Sequence, residues 1–369
     1  MIISSKPLMT NRKKVLILGN GFDLDLGRNT LYKDFYLSEY CPKDYPAPLI
    51  KHLNNKWTNN LEAVKWYDLE NELFNYYDYL KNNLFSVDVY NKDEKFYIDK
   101  LRNTEFLSPL LSYNYKPEYK LIIEGLIEKK LLKAPLSSSY ISLSHKDLLL
   151  TPNERDIIAL QAIKGGLVKY IQEEQNKEIN KESLAVLIAK TFIQDNTTLD
   201  KSLYSFNYTT IGNLSTKTIV PENVEFDISY VHGNANDNNI ILGTRDGEYD
   251  NNYDFLQKSF DINYNPPTIV YDLMEADDII IFGHSLGKND NQYFKAFFEK
   301  QSSPSNPTKK KITIFTKDEK SEIAIKRSLN EMTNYNLTSL YSLNDLRIIK
   351  TGDFYNRKIT GGDIIQRII

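Results

Sequence analysis

The sequence predicts an α/β fold, a mostly parallel sheet interrupted by a helical insertion, and three observations carry that expectation. The apolar run Val15-Leu16-Ile17-Leu18 has the length and branched composition of a strand buried on both faces, and it stops at Gly19-Asn20-Gly21. Five further short runs of strand character follow residue 200, several ending in small or polar residues. Between them, residues 83–200 show little strand character after the first few positions and several amphipathic helical signals. Strand, glycine turn and helix is how a doubly wound sheet presents backbone N–H groups and a helix N-terminus to a phosphate. The sheet is therefore expected to be Rossmann-like, with residues 1–82 its first part, 83–200 the insertion and 201–369 its remainder. Taken alone, the glycines could equally serve only a tight turn.

Composition sets the bounds. A chain of 369 residues makes one large domain or two. Lys+Arg number 46 against 49 Asp+Glu, a net charge of −3, which argues against a nucleic-acid partner. The single cysteine, Cys41, excludes an intrachain disulfide framework and a cysteine zinc site and fits a reducing cytoplasm. No metal is expected. The first residues lack a signal-peptide core, and no apolar run approaches the roughly 18–20 residues of a membrane span. A cytoplasmic protein with no membrane contact is the expectation.

Residues 1–13 read as a loose arm. After the glycine turn, Leu24, Leu26, Leu31, Phe35 and Tyr36 recur at roughly helical spacing, and Cys41-Pro42 through Pro46-Ala47-Pro48 is a turn-rich break. Leu61 to Leu80 reads as a helix, with Trp66, Leu69, Leu73, Tyr76 and Leu80 spaced by threes and fours. Asp68 and Glu72 share one of its faces, with Glu70 between them. Paired carboxylates there could bind a cation or do acid–base work, or be a solvated face. Thr151-Pro152-Asn153-Glu154 is a helix start, followed on one face by Ile157, Leu160, Ile163, Leu167 and Ile171, with Gly165-Gly166 as a weak point. A second helix fits Ser183 to Phe192, and His145 reads as structural. The insertion suits a lid or a sensing surface.

The later strands are Leu203–Phe206, stopping at Asn207; Phe226–Val231, stopping at His232-Gly233-Asn234; Ile240–Leu242, stopping at Gly243; Ile279–Phe282, stopping at Gly283-His284-Ser285-Leu286-Gly287; and Lys311–Phe315, before a helix through Ile323, Ile325 and Leu329. Ligands of open parallel sheets sit along the carboxyl edge. Gly19-Asn20-Gly21, Asn207, His232 and Ser285 would then line one crevice. Gly283 to Gly287 also matches the G-x-S-x-G nucleophile elbow of serine hydrolases, but that fold needs its His after the Ser. The four histidines are His52, His145, His232 and His284, and none follows Ser285. A helix does not start at once either, and Asp290 reads as a helix cap.

Gly19-Asn20-Gly21-Phe22-Asp23-Leu24 with Gly27, Thr30, Tyr32, Asp34 and Phe35, then Trp66-Tyr67-Asp68-Leu69-Glu70, Phe206-Asn207-Tyr208-Thr209, His232-Gly233 and Gly283 through Asp290, together resemble the bacterial AbiH family. That family is associated with abortive infection, a form of phage defence. More distantly, the order of glycine turn, Asn-Tyr, His-Gly and Gly-x-Ser is similar to sirtuin-like proteins, several of which destroy NAD in phage defence. The sirtuin-like pattern commonly has Asp where Thr209 stands, and Gly-Ala-Gly where this chain has Gly-Asn-Gly followed by Asp23. The resemblance implies a sirtuin-like sheet, a nucleotide ligand, NAD as a substrate, and a phage-derived trigger, and it leaves room for a homo-oligomer.

Breaking the nicotinamide–ribose bond develops positive charge on the sugar, so such a site needs groups that orient the ribose and a water. Asn207, donor and acceptor, could hold either. His232, at a strand end and followed by glycine, could act as the base, or be a structural histidine. The diphosphate would lie on Gly19, Asn20 and Gly21. Gly283 and Ser285 would border the adenosine side or the phosphates, with Asp290 close by. Asp23 would face the sugar or the amide, or cap a helix. His284, beside Gly and Ser, is expected to bond backbone. Leu24, in the place of a third glycine, tells against a dehydrogenase fingerprint. The expected function is a phage-defence effector that binds and hydrolyses a nucleotide. The alternatives are a sensor or scaffold with the same crevice and no turnover, or a serine hydrolase.

Overall fold

A computed structural model describes residues 12–59, 68–83, 152–195, 200–211, 226–305 and 308–369. Its centre is a six-stranded, all-parallel sheet: β1 (Lys13–Leu18), β2 (Asp200–Ser205), β3 (Ile228–Tyr230), β4 (Asp278–Phe282), β5 (Lys311–Thr316) and β6 (Asp345–Lys350). Their spatial order is β3-β2-β1-β4-β5-β6. Leu18 pairs with Ser205 on one side and Phe282 on the other, and Ser205 pairs with Tyr230. Four strands therefore end level with one another, which is what gathers distant residues at one edge.

The strand pattern explains why both faces are covered. In β1, Val15 and Ile17 join one core with Ile279, Ile281, Ile312 and Ile314. Leu16 and Leu18 point the opposite way and join a second with Leu203, Ile280, Phe282 and Phe315. Alternation of side chains along a strand turns one continuous apolar run into two cores.

The described helices are α1 (Gly21–Asp25), α2 (Tyr32–Leu37), α3 (Pro48–Asn59), α4 (Leu69–Asn83), α5 (Pro152–Gln175), α6 (Leu184–Gln194), α7 (Ile269–Glu275), α8 (Lys295–Gln301), α9 (Glu319–Met332), α10 (Leu337–Leu343), α11 (Thr351–Tyr355) and α12 (Gly361–Ile368). The first core takes Ile269 and Leu273 of α7, Phe297 and Phe298 of α8, Ile325, Leu329 and Met332 of α9, and Leu340 of α10. The second takes Phe22 of α1, the apolar side of α6, and Ile364 and Ile368 of α12. Ser183 accepts the Val186 N–H and caps α6.

Several sequence expectations are corrected here. The helix after the glycine turn is two short ones, α1 and α2, because Gly27 takes a φ of +90° between them. Ile240-Ile241-Leu242 is buried but belongs to no strand; only an isolated bridge, Thr244 to Gln257, follows it. The edge strand β6 was not anticipated, since Asp345-Leu346-Arg347-Ile348-Ile349-Lys350 has a charged residue at three of six positions. The helix read over 61–80 is described only from Leu69, and the cap Thr151 and His145 lie outside the described residues. α5 continues unbroken through Gly165-Gly166.

The chain divides into two compact units. The sheet belongs to the first, made of Met1–Tyr40, Gly165–Glu248 and Gln257–Ile369. The second comprises Cys41–Lys164 and Tyr249–Leu256. Within it Asp156 accepts the Leu49 N–H at 2.8 Å and the Tyr76 hydroxyl, while Tyr77 stacks on Tyr249 with ring centres 4.0 Å apart. Asp68 accepts the Asn71 N–H at the start of α4, and Glu72 lies 3.7 Å from His52 Nε2. Among the described residues no helix is long and apolar enough to cross a membrane.

Candidate functional site

One residue past the level strand ends, the backbone ladder continues: Phe206 N–H bonds Leu18 O, Val231 N–H bonds Ser205 O, and Gly19 N–H bonds Phe282 O. The chain then turns away at Asn207, His232 and His284. The Phe206 ring wedges among them, its centre 5.3 Å from the His232 ring and 4.4 Å from the His284 ring. Tyr293 and Phe294 complete this apolar wall at 5.5 and 5.6 Å.

Asp290 is the hub of the polar side. Its Oδ1 lies 3.1 Å from His232 Nε2 and 3.1 Å from Lys258 Nζ, and its Oδ2 lies 3.4 Å from His284 Nε2. It sits inside a short 3-10 turn, Lys288–Tyr293, that begins after Gly287, so the expectation of a helix cap is corrected. His284 Nδ1 accepts the Leu286 N–H at 3.0 Å, which leaves the proton on Nε2, toward Asp290. Burial alone would raise the Asp290 carboxyl; the Lys258 charge and the two histidine hydrogen bonds outweigh it and hold the group well below the usual carboxylate range. Burial, then the Lys258 charge, push His232 down to about 4 against the pull of Asp290, so its imidazole is neutral near pH 7.

A second set of atoms has no partner. Asn207 is 5% exposed, and among the described residues neither its Nδ2 nor its Oδ1 is hydrogen-bonded. The same is true of His232 Nδ1 and of Asn291 Oδ1. A buried polar atom left unsatisfied costs about 1–3 kcal/mol, so such a group marks a place for a ligand or an ordered water.

The glycine turn packs against the turn after β4. Gly19 and Gly21 give their N–H groups to Phe282 and Gly283 carbonyls, at 3.0 and 2.9 Å. A Cβ on Gly21 would sit 2.6 Å from Gly283 Cα, and one on Gly19 2.5 Å from His284 Cα. The glycines let the β1 and β4 turns touch backbone to backbone, with Gly283 at a φ of +66°. Gly233 likewise serves its own turn, since a Cβ there would strike the Asn239 carbonyl at 2.1 Å. Asn20 is partly buried and accepts the Thr30 hydroxyl.

Asp23 is buried and paired with Arg28 Nη1 at 2.9 Å, and the Thr209 hydroxyl lies 2.7 and 2.8 Å from its two oxygens. Burial pushes the Asp23 carboxyl up, against the Arg28 charge and the Thr209 hydrogen bond. Asp23 and Thr209, two departures from the sirtuin-like pattern, are thus each other's partners. Ser285 is exposed, and no hydrogen bond joins it to a histidine among the described residues. Positive φ falls on Gly283 and Leu286 on either side of it, not on the serine, unlike a strained nucleophile elbow.

The elements that carry these residues lie inside the span of one family model, described as bacteriophage abortive infection AbiH, which matches residues 15–310. The chain belongs to the AbiH family. Membership implies a role in abortive infection of phage-infected cells. Neither a comparison with curated proteins nor one with solved structures returned a match.

In this AbiH protein the structure brings His232, His284 and Asp290 into direct contact and sets Asn207 beside Phe206, at the same sheet edge. It leaves Ser285 on the surface and turns Asp23 to Arg28. Asp68, Glu70 and Glu72 belong to the second unit. Among the described residues no group of three or more His, Cys, Asp or Glu could hold a metal ion. Sequence reasoning missed Lys258. No motif or apolar run marks Gln257-Lys258-Ser259-Phe260, yet the Lys258 side chain is 0% exposed.

Proposed function

We propose that this AbiH protein is a phage-defence effector that binds a nucleotide, NAD or a relative, at the carboxyl edge of the sheet and hydrolyses its N-glycosidic bond. The observation that carries the reading is that Asn207 and His232, at neighbouring strand ends, each hold buried polar atoms that have no partner among the described residues. Ribose hydroxyls and a carboxamide offer the donors and acceptors those atoms lack. The strand order β3-β2-β1-β4-β5-β6 supports a Rossmann-like reading, because doubly wound sheets of that order bind dinucleotides where the order reverses, here between β1 and β4.

In this reading Asn207 orients a water or a ribose hydroxyl, and His232 accepts a proton at Nδ1. An imidazole held to about 4 is a weak base. That suffices where bond cleavage runs ahead of water attack, since an oxocarbenium-like sugar accepts even a weak nucleophile. With the Gly19 and Gly21 N–H groups engaged, Asn20 and the exposed Ser285 remain to border the diphosphate. The weak basicity of His232 favours one second reading, a nucleotide sensor without turnover.

Chromatography of NAD after incubation with the purified protein, with and without phage lysate, separates the two. Nicotinamide and ADP-ribose support the enzyme; intact NAD with measurable binding supports the sensor. His232→Ala and Asn207→Ala are each expected to keep affinity within about tenfold, roughly 1.4 kcal/mol. Turnover should drop by ~10²–10⁴, as when a positioned acid–base group is lost. A destabilised but fully active His232→Ala would end the catalytic assignment.

A further inference from the structure

His232 is faced by four polar or charged groups: Lys258 from the turn after residue 257, Asp290 and Tyr293 from the 3-10 turn, and His284 from the loop after β4. A histidine beside a carboxylate alone gains basicity, because the carboxylate favours the imidazolium. Here a cation stands in the same pair. Lys258 Nζ is 3.1 Å from Asp290 Oδ1 and 3.4 Å from His232 Nε2. The lysine is not a side chain that has drifted inward. Its own N–H bonds Thr244 O at 2.9 Å, its neighbour Gln257 bridges Thr244, and Gln257 Oε1 accepts the Gly247 N–H.

We propose that Lys258 is a positioning residue: with Asp290 it holds His232 as a neutral imidazole, proton on Nε2, with the Nδ1 lone pair kept for the ligand. The partners assign the proton. Two groups meet at Nε2: Asp290 Oδ1 at 3.1 Å, which can only accept, and Lys258 Nζ at 3.4 Å, which can only donate. The shorter contact takes the proton, so Nε2–H points at Asp290 Oδ1, Lys258 bonds the same carboxylate oxygen, and Nδ1 is bare. Nδ1 is also the buried atom without a partner among the described residues. A bare nitrogen needs a donor opposite. A sugar hydroxyl, a water or an N–H fits there, whereas a phosphate or carboxylate oxygen would set lone pair against lone pair. This places the sugar end of a nucleotide, not its phosphates, against His232, and it rests on the function proposed above.

The test is nitrogen NMR of ligand-free protein carrying 15N-histidine, with His232 assigned from a His232→Gln spectrum. With four histidines in the chain the spectrum is sparse. The expected wild-type result is an unprotonated Nδ1 and no titration between pH 8 and 5. In Lys258→Met the His232 midpoint should rise by at least about one unit, a tenfold gain in proton affinity. In Lys258→Arg, which keeps the charge, His232 should stay silent. An NAD titration adds a second readout: affinity flat from pH 8 to 5.5 in the wild type, and falling with acid in Lys258→Met. A wild-type His232 that titrates near its ordinary value overturns the proposal, even if the Met variant does not fold. So does a folded Lys258→Met with His232 still silent. A silent, Nε2-protonated His232 in a protein that binds no NAD would sink NAD as the ligand and leave the role of Lys258 standing.

Discussion

Asp290 shows how little one side chain's identity says about its task. Read in sequence, it is a cap before Asn291 and Gln292; folded, it accepts from a lysine and two histidines carried by three separate segments. His232 and Asn207 were legible because each closes a strand. Lys258 was not, because its placement depends on a backbone bond to Thr244, fourteen positions away. The pairing has a cost that can be measured. Asp290→Asn removes the carboxylate that lies 3.1 Å from the buried Lys258 Nζ, and a loss of about 3–5 kcal/mol is expected from breaking a buried pair on one side. Lys258→Met should relieve most of that in the double variant, giving a coupling of about 1–3 kcal/mol. Denaturant titration followed by a probe in the sheet unit checks this. Additive losses in the double variant would mean that the two side chains do not act as a pair.

At the scale of elements, the sequence was read correctly where a run stays apolar on both faces, as in β1, β4 and β5, because burial on both faces leaves no other economical place for it. It misled where pattern and environment separate. Ile240-Ile241-Leu242 is as apolar as a strand, yet the Ile241 N–H bonds His232 O within its own loop and the run never reaches the sheet. β6 carries charge because it is an edge strand. The glycine turn was recognised, and in the structure its glycines let two turns meet backbone to backbone. Gly21→Ala and Gly283→Ala should therefore each lower the melting temperature and the soluble yield whether or not nucleotide is present. At Gly283 the cost includes a non-glycine side chain at a φ of +66°. Variants that keep the wild-type melting temperature and lose only nucleotide affinity would return these glycines to the binding site.

At the scale of the whole molecule, two buried acid–base groups make opposite contributions to the acid response of their respective units. His232, in the sheet unit, has its folded pKa depressed to about 4 from an ordinary 6.5. Between those values the unfolded chain binds the extra proton, so stability falls as pH drops through that window, by about 2 kcal/mol between pH 7.5 and 5. Asp290, also depressed, adds its loss below the ordinary carboxylate range. Asp156, in the other unit, is raised by burial to about 7 from 3.8, against the Tyr76 and Leu49 hydrogen bonds and the Arg155 charge. There the folded state binds the proton first, so stability is present below 3.8 and is lost as pH rises through about 7. On acidification from pH 7.5 to 5 the His232 contribution loosens β1, β2 and β4, opposed by the raised Asp23 of the same unit, while the Asp156 contribution tightens the segments around Leu49, Tyr76 and Asp156. Hydrogen exchange read by mass spectrometry at both pH values, corrected for intrinsic exchange rates, resolves the units separately. His232→Gln should flatten the response of the sheet unit alone, and Asp156→Asn that of the other unit alone. A His232→Gln or Asp156→Asn variant whose unit keeps the wild-type response to pH would refute the assignment of that group.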